Sequence, residues 1–185
     1  KCNPMMREST QPGKCSETGA WRSTPRGVEQ PLAVGPNRLD NRVFLAPLSG
    51  ISDVAFRRLA RRFGAGLVVS EMVASGEFVK GCDASAMRAM RDGSGTHAVQ
   101  LAGRDPKWMR QAAERLADLG VDIIDINMGC PAKKVVGGLS GSALMREPDL
   151  ALRIVEATVA GAGNIPVTLK MRLGWDRASI NAPEL

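Results

Sequence analysis

From Asn41 onward, short apolar runs alternate with segments whose apolar residues recur at helical spacing. Glycine or proline separates most of these segments, which is typical of boundaries between strands and helices. Strands that alternate with helices form a parallel sheet joined by right-handed crossovers. The alternation therefore predicts an α/β fold for this part of the chain.

Five strands and four helices are predicted from this pattern. The strands are expected over residues 43–46, 66–70, 97–101, 121–126 and 166–171. Four helices follow from capping residues and periodicity. The first is one that Ser52 can cap, whose apolar positions Phe56, Leu59, Ala60 and Phe63 fall on one face, and the second is a short helix over 84–90. The third runs from Asp105-Pro106 to Gly120, and its apolar positions Met109, Ala112, Ala113, Leu116 and Leu119 share a face. The fourth opens at Pro148 and ends near Gly161 and Gly163, with Ala151, Ile154, Val155 and Thr158 inward.

The start of the chain differs from the rest. Residues 1–34 combine prolines, Ser, Thr and scattered charge, without an alternating or helical apolar pattern. We interpret 1–34 as a disordered or non-native N-terminal segment and 35–185 as the folded portion. Over the whole chain, 44% hydrophobic and 24% charged residues are near the globular average and argue against complete disorder.

Charge and cysteine usage narrow the class of protein. A net charge of +6 suits an anionic partner such as nucleic acid, although net charge reports on non-specific attraction rather than fold. We find no apolar run of the roughly 18 residues that a membrane span needs and no secretory signal pattern. Cys2, Cys15, Cys82 and Cys130 lack CxxC spacing and share one histidine, His97, which argues against a zinc site. We expect a cytoplasmic protein with free thiols, no metal and no membrane partner.

Two architectures compete for the predicted sheet, a doubly wound fold and a (β/α)8 barrel. The GxGxxG fingerprint of dinucleotide-binding sheets is absent after the first strand, where residues 47–52 read Pro-Leu-Ser-Gly-Ile-Ser. Polar or turn-forming residues instead follow the strands, at Pro47, Glu71, Gln100, 127–130 and 170–172. Active sites of barrels lie at that end, and a full barrel takes roughly 250 residues. If the sheet belongs to a (β/α)8 TIM barrel, that barrel is truncated after about five strands.

The segment Asp-Ile-Asn-Met-Gly-Cys-Pro-Ala-Lys-Lys, residues 125–134, is the most informative stretch. It leaves the fourth predicted strand directly onto the expected active-site end. A cysteine held between glycine and proline in a loop is not needed for packing, and a thiol can donate a proton or act as a nucleophile. Cys130 is therefore the strongest catalytic candidate, whereas the other cysteines are expected to be inert.

Four segments in this order resemble the tRNA-dihydrouridine synthases, and within them the bacterial B-type branch. They are residues 45–53, 99–103, 125–134 and 167–176, and the resemblance covers about residues 35–176. It implies that 35–185 is the N-terminal portion of an FMN-binding TIM barrel. The family's catalytic-face histidine, flavin-phosphate loops and helical RNA-binding domain have no counterpart in the 185 residues.

The resemblance implies an oxidoreductase that converts uridine in tRNA to 5,6-dihydrouridine. NADPH reduces FMN, hydride passes to C6 of the uracil, and a cysteine thiol protonates C5. Cys130 matches that proton donor. Pro47, Leu48 and Ser49 match the loop against the flavin ring, Gln100 a hydrogen-bonding partner of the ring edge, and Lys170 a cation near the ring.

The remaining polar residues carry weaker assignments. Asn127 is expected to hydrogen-bond the uracil edge through its amide. Lys133, Lys134 and Arg172 can meet phosphates of the RNA, although a solvated surface explains them equally well. Because an unpaired lysine is costly to bury in an apolar strand, Lys170 favours a functional role. His97 is expected to be structural, at the opposite end of its strand.

Two other functions remain open at this stage. The chain can instead be another FMN barrel of the dihydroorotate dehydrogenase type, or an inactive half-barrel with at most weak RNA binding. We expect the 185-residue chain itself to bind FMN poorly, to be inactive, and to self-associate through open sheet edges.

Overall fold

A five-stranded parallel sheet forms the centre of the structure, a computed structural model that describes residues 27–93 and 95–185. An antiparallel hairpin precedes it, with β1 over Leu32–Val34 and β2 over Asn37–Leu39. The sheet strands are β3, Phe44–Leu45; β4, Leu67–Ala74; β5, Ala98–Ala102; β6, Ile123–Met128; and β7, Val167–Met171.

Six α-helices connect these strands. They are α1, Val54–Arg62; α2, Ser75–Val79; α3, Asp83–Arg88; α4, Pro106–Asp118; α5, Lys133–Gly137; and α6, Pro148–Ala162. Short 3₁₀ turns lie at Gly141–Arg146 and Ala182–Glu184. Asp105 caps α4 by accepting a hydrogen bond from the backbone nitrogen of Lys107, as its sequence predicts.

The order of the strands decides between the two predicted architectures. Neighbours follow the chain order β3-β4-β5-β6-β7, and every adjacent pair is parallel. A doubly wound sheet reverses its strand order at a switch point, whereas a barrel adds each strand beside the last. The described chain thus forms five successive strands of a (β/α)8 barrel, which confirms the predicted fold class.

The two faces of the sheet are filled differently. On the outer face, Leu116 of α4 and Ile154 of α6 are fully buried in one apolar cluster with Ile124 and Ile126 of β6. On the inner face, a smaller cluster at the amino end joins Leu67, Val69, Ala98 and Ile123, and Leu39 of the hairpin closes it. The inner face near the carboxyl end is left to polar side chains.

The predicted cap of α1 is wrong, and its apolar face is exposed. Asp53, not Ser52, caps it, by accepting a hydrogen bond from the backbone nitrogen of Phe56. Phe56, Leu59 and Phe63 are exposed, Phe63 by 85%. The buried side chain is Arg57, because its guanidinium donates to the carbonyl oxygens of Ser52 and Met90. An amphipathic pattern does not show that the inward side of α1 makes hydrogen bonds to backbone carbonyl oxygens rather than apolar contacts.

Other differences concern boundaries. β4, β5 and β6 extend further toward their carboxyl ends than predicted, and α2, α5 and the β1–β2 hairpin have no predicted counterpart. Leu119 is exposed because α4 ends before it. The boundary predicted between residues 34 and 35 falls inside the hairpin. The earlier part of the 1–34 segment, residues 1–26, lies outside the described residues.

Candidate active site at the carboxyl end of the sheet

A cavity of about 250 Å³ opens where β5, β6 and β7 end and the chain leaves β3. All seven residues predicted for the site line it: Pro47, Leu48, Ser49, Gln100, Asn127, Cys130 and Lys170. Met72, Gly129, Pro131 and Arg172 complete its wall. Residues 83 positions apart in sequence, Pro47 and Cys130, thus meet at one end of the sheet, as expected for parallel strands.

The loop after β3 is held by side chains behind it. The Ser52 hydroxyl accepts a hydrogen bond from the backbone nitrogen of Leu48 at 2.8 Å and donates one to its carbonyl oxygen at 3.1 Å. Glu71 accepts a hydrogen bond from the backbone nitrogen of Gly50. Glu71 therefore supports the loop from β4 rather than lining the cavity, and it lies instead in a separate cavity of about 610 Å³ between α1 and α3.

Polar side chains of β5, β6 and β7 form one hydrogen-bonded chain beneath the cavity. Thr168 donates to Asp125 at 2.7 Å, and the Gln100 amide nitrogen donates to the other Asp125 oxygen at 2.6 Å. Asn127 in turn donates to the Gln100 oxygen at 2.8 Å. Its own oxygen accepts from the backbone nitrogens of Gly129 and Cys130, at 3.3 and 3.1 Å.

Opposing effects act on the carboxyl group of Asp125. Burial in the sheet raises the pKa of Asp125, because the charged form loses its water. The hydrogen bonds from Thr168 and Gln100, and the positive charge of Lys170, lower it in part. Burial is the largest of these effects, so the group binds its proton more tightly than an exposed aspartate does.

The loop that carries Cys130 is fixed from both sides. Arg172 donates a hydrogen bond from Nε to the carbonyl oxygen of Gly129 at 2.8 Å. The Cys130 carbonyl accepts from the backbone nitrogen of Ser142 at 3.0 Å. Gly141 lies so close to this loop that a Cβ at position 141 would collide with the Cys130 carbonyl oxygen and with Val135. Its φ of +61° is also a backbone conformation that favours glycine. The half-buried thiol is thus held at the cavity wall.

Lys170 is exposed, although its position in an apolar strand predicts a buried side chain. Its side chain is exposed at the cavity, so the cost of burying an unpaired lysine does not arise. Lys133 and Lys134 are exposed on α5, and Lys134 borders an adjoining cavity of about 290 Å³ that shares Ser49 and Met72. His97 is buried at the amino end of β5, away from the cavity.

Three residues of the site were missed at the sequence level. Met72 lines the cavity but falls beyond the predicted end of its strand. Asp125 and Thr168 lie under the cavity and hold Gln100. A signal for Asp125 exists: it stands two residues before Asn127 in an otherwise apolar strand, so both project from the same face.

Two kinds of feature, a membrane-spanning helix and a metal cluster, do not occur in the part of the chain that the structure describes. None of its helices combines the length and apolar character needed to cross a bilayer. Within the same residues, no three His, Cys, Asp or Glu side chains gather closely enough to hold a metal ion.

The fold has relatives among solved structures. It matches 6-hydroxypseudooxynicotine amine oxidase from Pseudomonas geniculata N1 with a TM-score of 0.56 and 14% identity, over 80% of this chain and 33% of that one. It matches a variant of NCR from Zymomonas mobilis with a TM-score of 0.53 and 18% identity, over 78% and 58% of the two chains. These likenesses concern the fold alone.

Sequence comparison is more specific. The chain is 65% identical over 145 residues to a probable tRNA-dihydrouridine synthase of Rhizobium leguminosarum bv. phaseoli, covering 78% of this chain and 45% of the relative. It is 50% identical over 151 residues to tRNA-dihydrouridine synthase B of Pseudomonas aeruginosa, covering 81% and 45%. The chain spans about half the length of these curated relatives. The family model for dihydrouridine synthase matches residues 44–185, and the chain therefore belongs to the dihydrouridine synthase family.

Proposed function

We propose that the protein reduces uridine in tRNA to 5,6-dihydrouridine in the cytoplasm, with FMN as its cofactor and NADPH as its reductant. The family membership and the names of its relatives support this reading. The observation that carries it is the cavity in which Pro47–Ser49, Gln100, Asn127, Cys130 and Lys170 meet. Dihydroorotate-type chemistry is not favoured, because the matching family is the dihydrouridine synthases.

The residues at the cavity fit a flavin ring. Such a ring is planar and presents nitrogen and carbonyl acceptors along its edges. The cavity offers it the loop Pro47–Ser49 along one side and the one amide hydrogen of Gln100 that Asp125 does not accept. Lys170 adds an exposed cation that would stabilise negative charge on the reduced ring. When bound, FMN supplies the hydride that reduces C6 of the uracil.

Cys130 holds the proton that the uracil needs. Its thiol donates that proton to C5, and the resulting thiolate regains a proton from solvent. Asn127 accepts hydrogen bonds from the backbone nitrogens of the loop, and Arg172 donates one to its Gly129 carbonyl oxygen. These three bonds fix the loop, so that the thiol keeps one position. Asn127 also has an amide hydrogen free to meet the uracil edge.

The surface around the cavity suits an RNA substrate. Lys134 borders the adjoining cavity, Lys133 is exposed beside it, and Arg172 lines the site itself. Phosphates of RNA are recognised by such cations, which orient the strand without reading its bases. These three cations would hold the tRNA backbone while one uridine enters the cavity.

A cysteine variant tests the proposal. Cys130→Ala in the intact protein should bind FMN as the wild type does but lose about 10²–10⁴-fold in dihydrouridine formation, the usual contribution of a general acid. Dihydrouridine in tRNA is measured by mass spectrometry, and FMN by its absorbance after gel filtration. Cys82→Ala, at a half-buried cysteine outside the cavity, is the matched control and should keep full activity. Wild-type turnover in Cys130→Ala would contradict the assignment.

A further inference from the structure

The amides beneath the cavity point in one direction. The chain of hydrogen bonds runs from the backbone nitrogen of Cys130, through Asn127 and Gln100, to the carboxyl group of Asp125. The Cys130 end fixes this direction, because a backbone nitrogen only donates, and the Asp125 oxygen at the other end accepts from Gln100. The side-chain amides of Asn127 and Gln100 are therefore each turned with oxygen toward Cys130 and nitrogen toward Asp125.

This direction decides what the cavity offers a ligand. The Asn127 oxygen already accepts two hydrogen bonds, from Gly129 and Cys130. Each amide nitrogen carries two hydrogens and uses one within the chain. One hydrogen therefore remains on Gln100 and one on Asn127. Lys170, which also lines the cavity, can only donate. The site thus presents donors, which suits a ligand edge made of acceptors.

We infer that Asp125 is a positioning residue, whose carboxylate holds the Gln100 amide with its nitrogen toward Asp125 and so keeps the second Gln100 hydrogen as a donor for a ligand. Asp125 is buried, does not line the cavity, and has both oxygens engaged, by Thr168 and Gln100. An asparagine in its place can donate as well as accept, so this end of the chain no longer fixes Gln100, whereas the backbone nitrogens of Gly129 and Cys130 still hold Asn127. The identity of the ligand as FMN rests on the proposed function, whereas the direction of the chain does not.

The first experiment needs no ligand. NMR of the intact protein, labelled with ¹⁵N, follows the side-chain amide resonances of Gln100 and Asn127. Asp125→Asn should shift the Gln100 resonance most and the Asn127 resonance less, because the backbone nitrogens of Gly129 and Cys130 still hold Asn127. Asp122→Asn, at the amino end of the same strand region, should shift neither. If the Gln100 resonance stays in place in Asp125→Asn, the inference is wrong. Should Asp125→Asn fail to fold, a scalar coupling across the Gln100–Asp125 hydrogen bond in the wild type decides the point, and its absence overturns the inference.

The second experiment uses FMN as the probe. By fluorescence titration, Asp125→Asn should weaken FMN binding about 5- to 10-fold, the effect of one misdirected hydrogen bond. In a Gln100→Leu background the same change should matter less than twofold, because Asp125 acts through Gln100. An equal loss in both backgrounds would show a merely structural role and overturn the inference. If the wild type does not bind FMN at all, the proposed function fails, and the NMR result still decides the direction of the amides.

Discussion

The side-chain oxygen of Asn127 accepts a hydrogen bond from the backbone nitrogen of Cys130 at 3.1 Å, so a residue of the cavity wall also holds the loop that carries the thiol. The same oxygen accepts from Gly129 at 3.3 Å. In the proposed function, one side chain therefore both contacts the substrate and places the Cys130 thiol. A change at Asn127 should alter both.

Asn127→Ala should release this loop. Two backbone N–H groups lose their acceptor, which costs about 1–3 kcal/mol where such groups stay buried. We expect the Cys130 thiol to become several-fold more reactive toward iodoacetamide, measured site by site with mass spectrometry. Cys82 in the same sample is an internal reference and should react at an unchanged rate. An unchanged rate at Cys130 would show that Arg172 and Ser142 hold the loop without Asn127.

The cavity itself could be predicted from the sequence, because parallel strands bring their carboxyl ends to one edge. A strand-by-strand reading therefore placed Gln100, Asn127 and Lys170 on the same side as Pro47 and Cys130. The amide chain beneath them could not be predicted in the same way. It depends on the register of neighbouring strands, which places Gln100 opposite Asp125 and Asn127 opposite Lys170.

The orientation of α1 could not be predicted for a different reason. Its apolar residues share one face, and the usual inference buries that face. In the structure Arg57, Arg58 and Arg61 donate to carbonyl oxygens of the segment 90–96, and that arginine face turns inward. Those acceptors belong to a loop distant in sequence, and helical periodicity carries no information about it.

Lys170 should tune the electronic state of the flavin. Removal of its charge by Lys170→Met should weaken FMN binding several-fold and shift the flavin reduction potential to a more negative value, because a cation stabilises the reduced, negatively charged ring. Lys170→Arg should keep most of the wild-type potential. Titration and spectroelectrochemistry measure the two effects. Lys134→Met, at the adjoining cavity, is the control and should leave the potential unaltered. A potential that does not respond to Lys170→Met would remove Lys170 from the flavin site.

Gly161 allows α6 to approach α4. A Cβ at this position would collide with the carbonyl oxygen of Arg110 and press against Ala113. Gly161→Ala should therefore destabilise the protein by about 1–3 kcal/mol, the usual cost of overpacking. Gly137→Ala is the matched control, because nothing lies within 4 Å of its added Cβ. Urea denaturation compares the two, and equal stabilities would mean that the helices can separate at little cost.

His97 should make stability depend on pH. It is buried, and within the described residues neither ring nitrogen has a hydrogen-bond partner. Burial, and to a lesser extent the charge of Arg91, lowers the pKa of His97. The unfolded chain therefore takes up a proton at a higher pH than the folded one. The free energy of unfolding should decrease as the pH falls below the ordinary histidine pKa of about 6.5, by at most roughly 1.4 kcal/mol per pH unit.

The pH dependence is checked by urea denaturation between pH 5 and 8. His97→Phe removes the titrating group, so the free energy of unfolding of the variant lacks this pH dependence. As the pH falls, the free energy of unfolding of the wild type should therefore decrease relative to that of the variant. The raised pKa of Asp125 gives a slope of opposite sign, since the folded state then holds its proton longer as the pH rises. That contribution is common to both proteins and cancels. A difference that stays constant with pH would show that folding does not lower the pKa of His97.

The 185-residue chain on its own should self-associate. β3 and β7 are the edge strands of the described sheet, and an edge leaves backbone groups free to pair with another chain. Leu59 on α1 and Phe63, directly after α1, are exposed by 45% and 85%. Exposed apolar side chains of this kind favour association. Light scattering after gel filtration should therefore give a mass above the 19.7 kDa of one chain.

The double variant Leu59→Lys, Phe63→Lys should shift the mass toward one chain, whereas Leu119→Lys, at an exposed apolar residue after α4, should not. A wild-type chain that stays monomeric at about 100 µM would contradict this prediction.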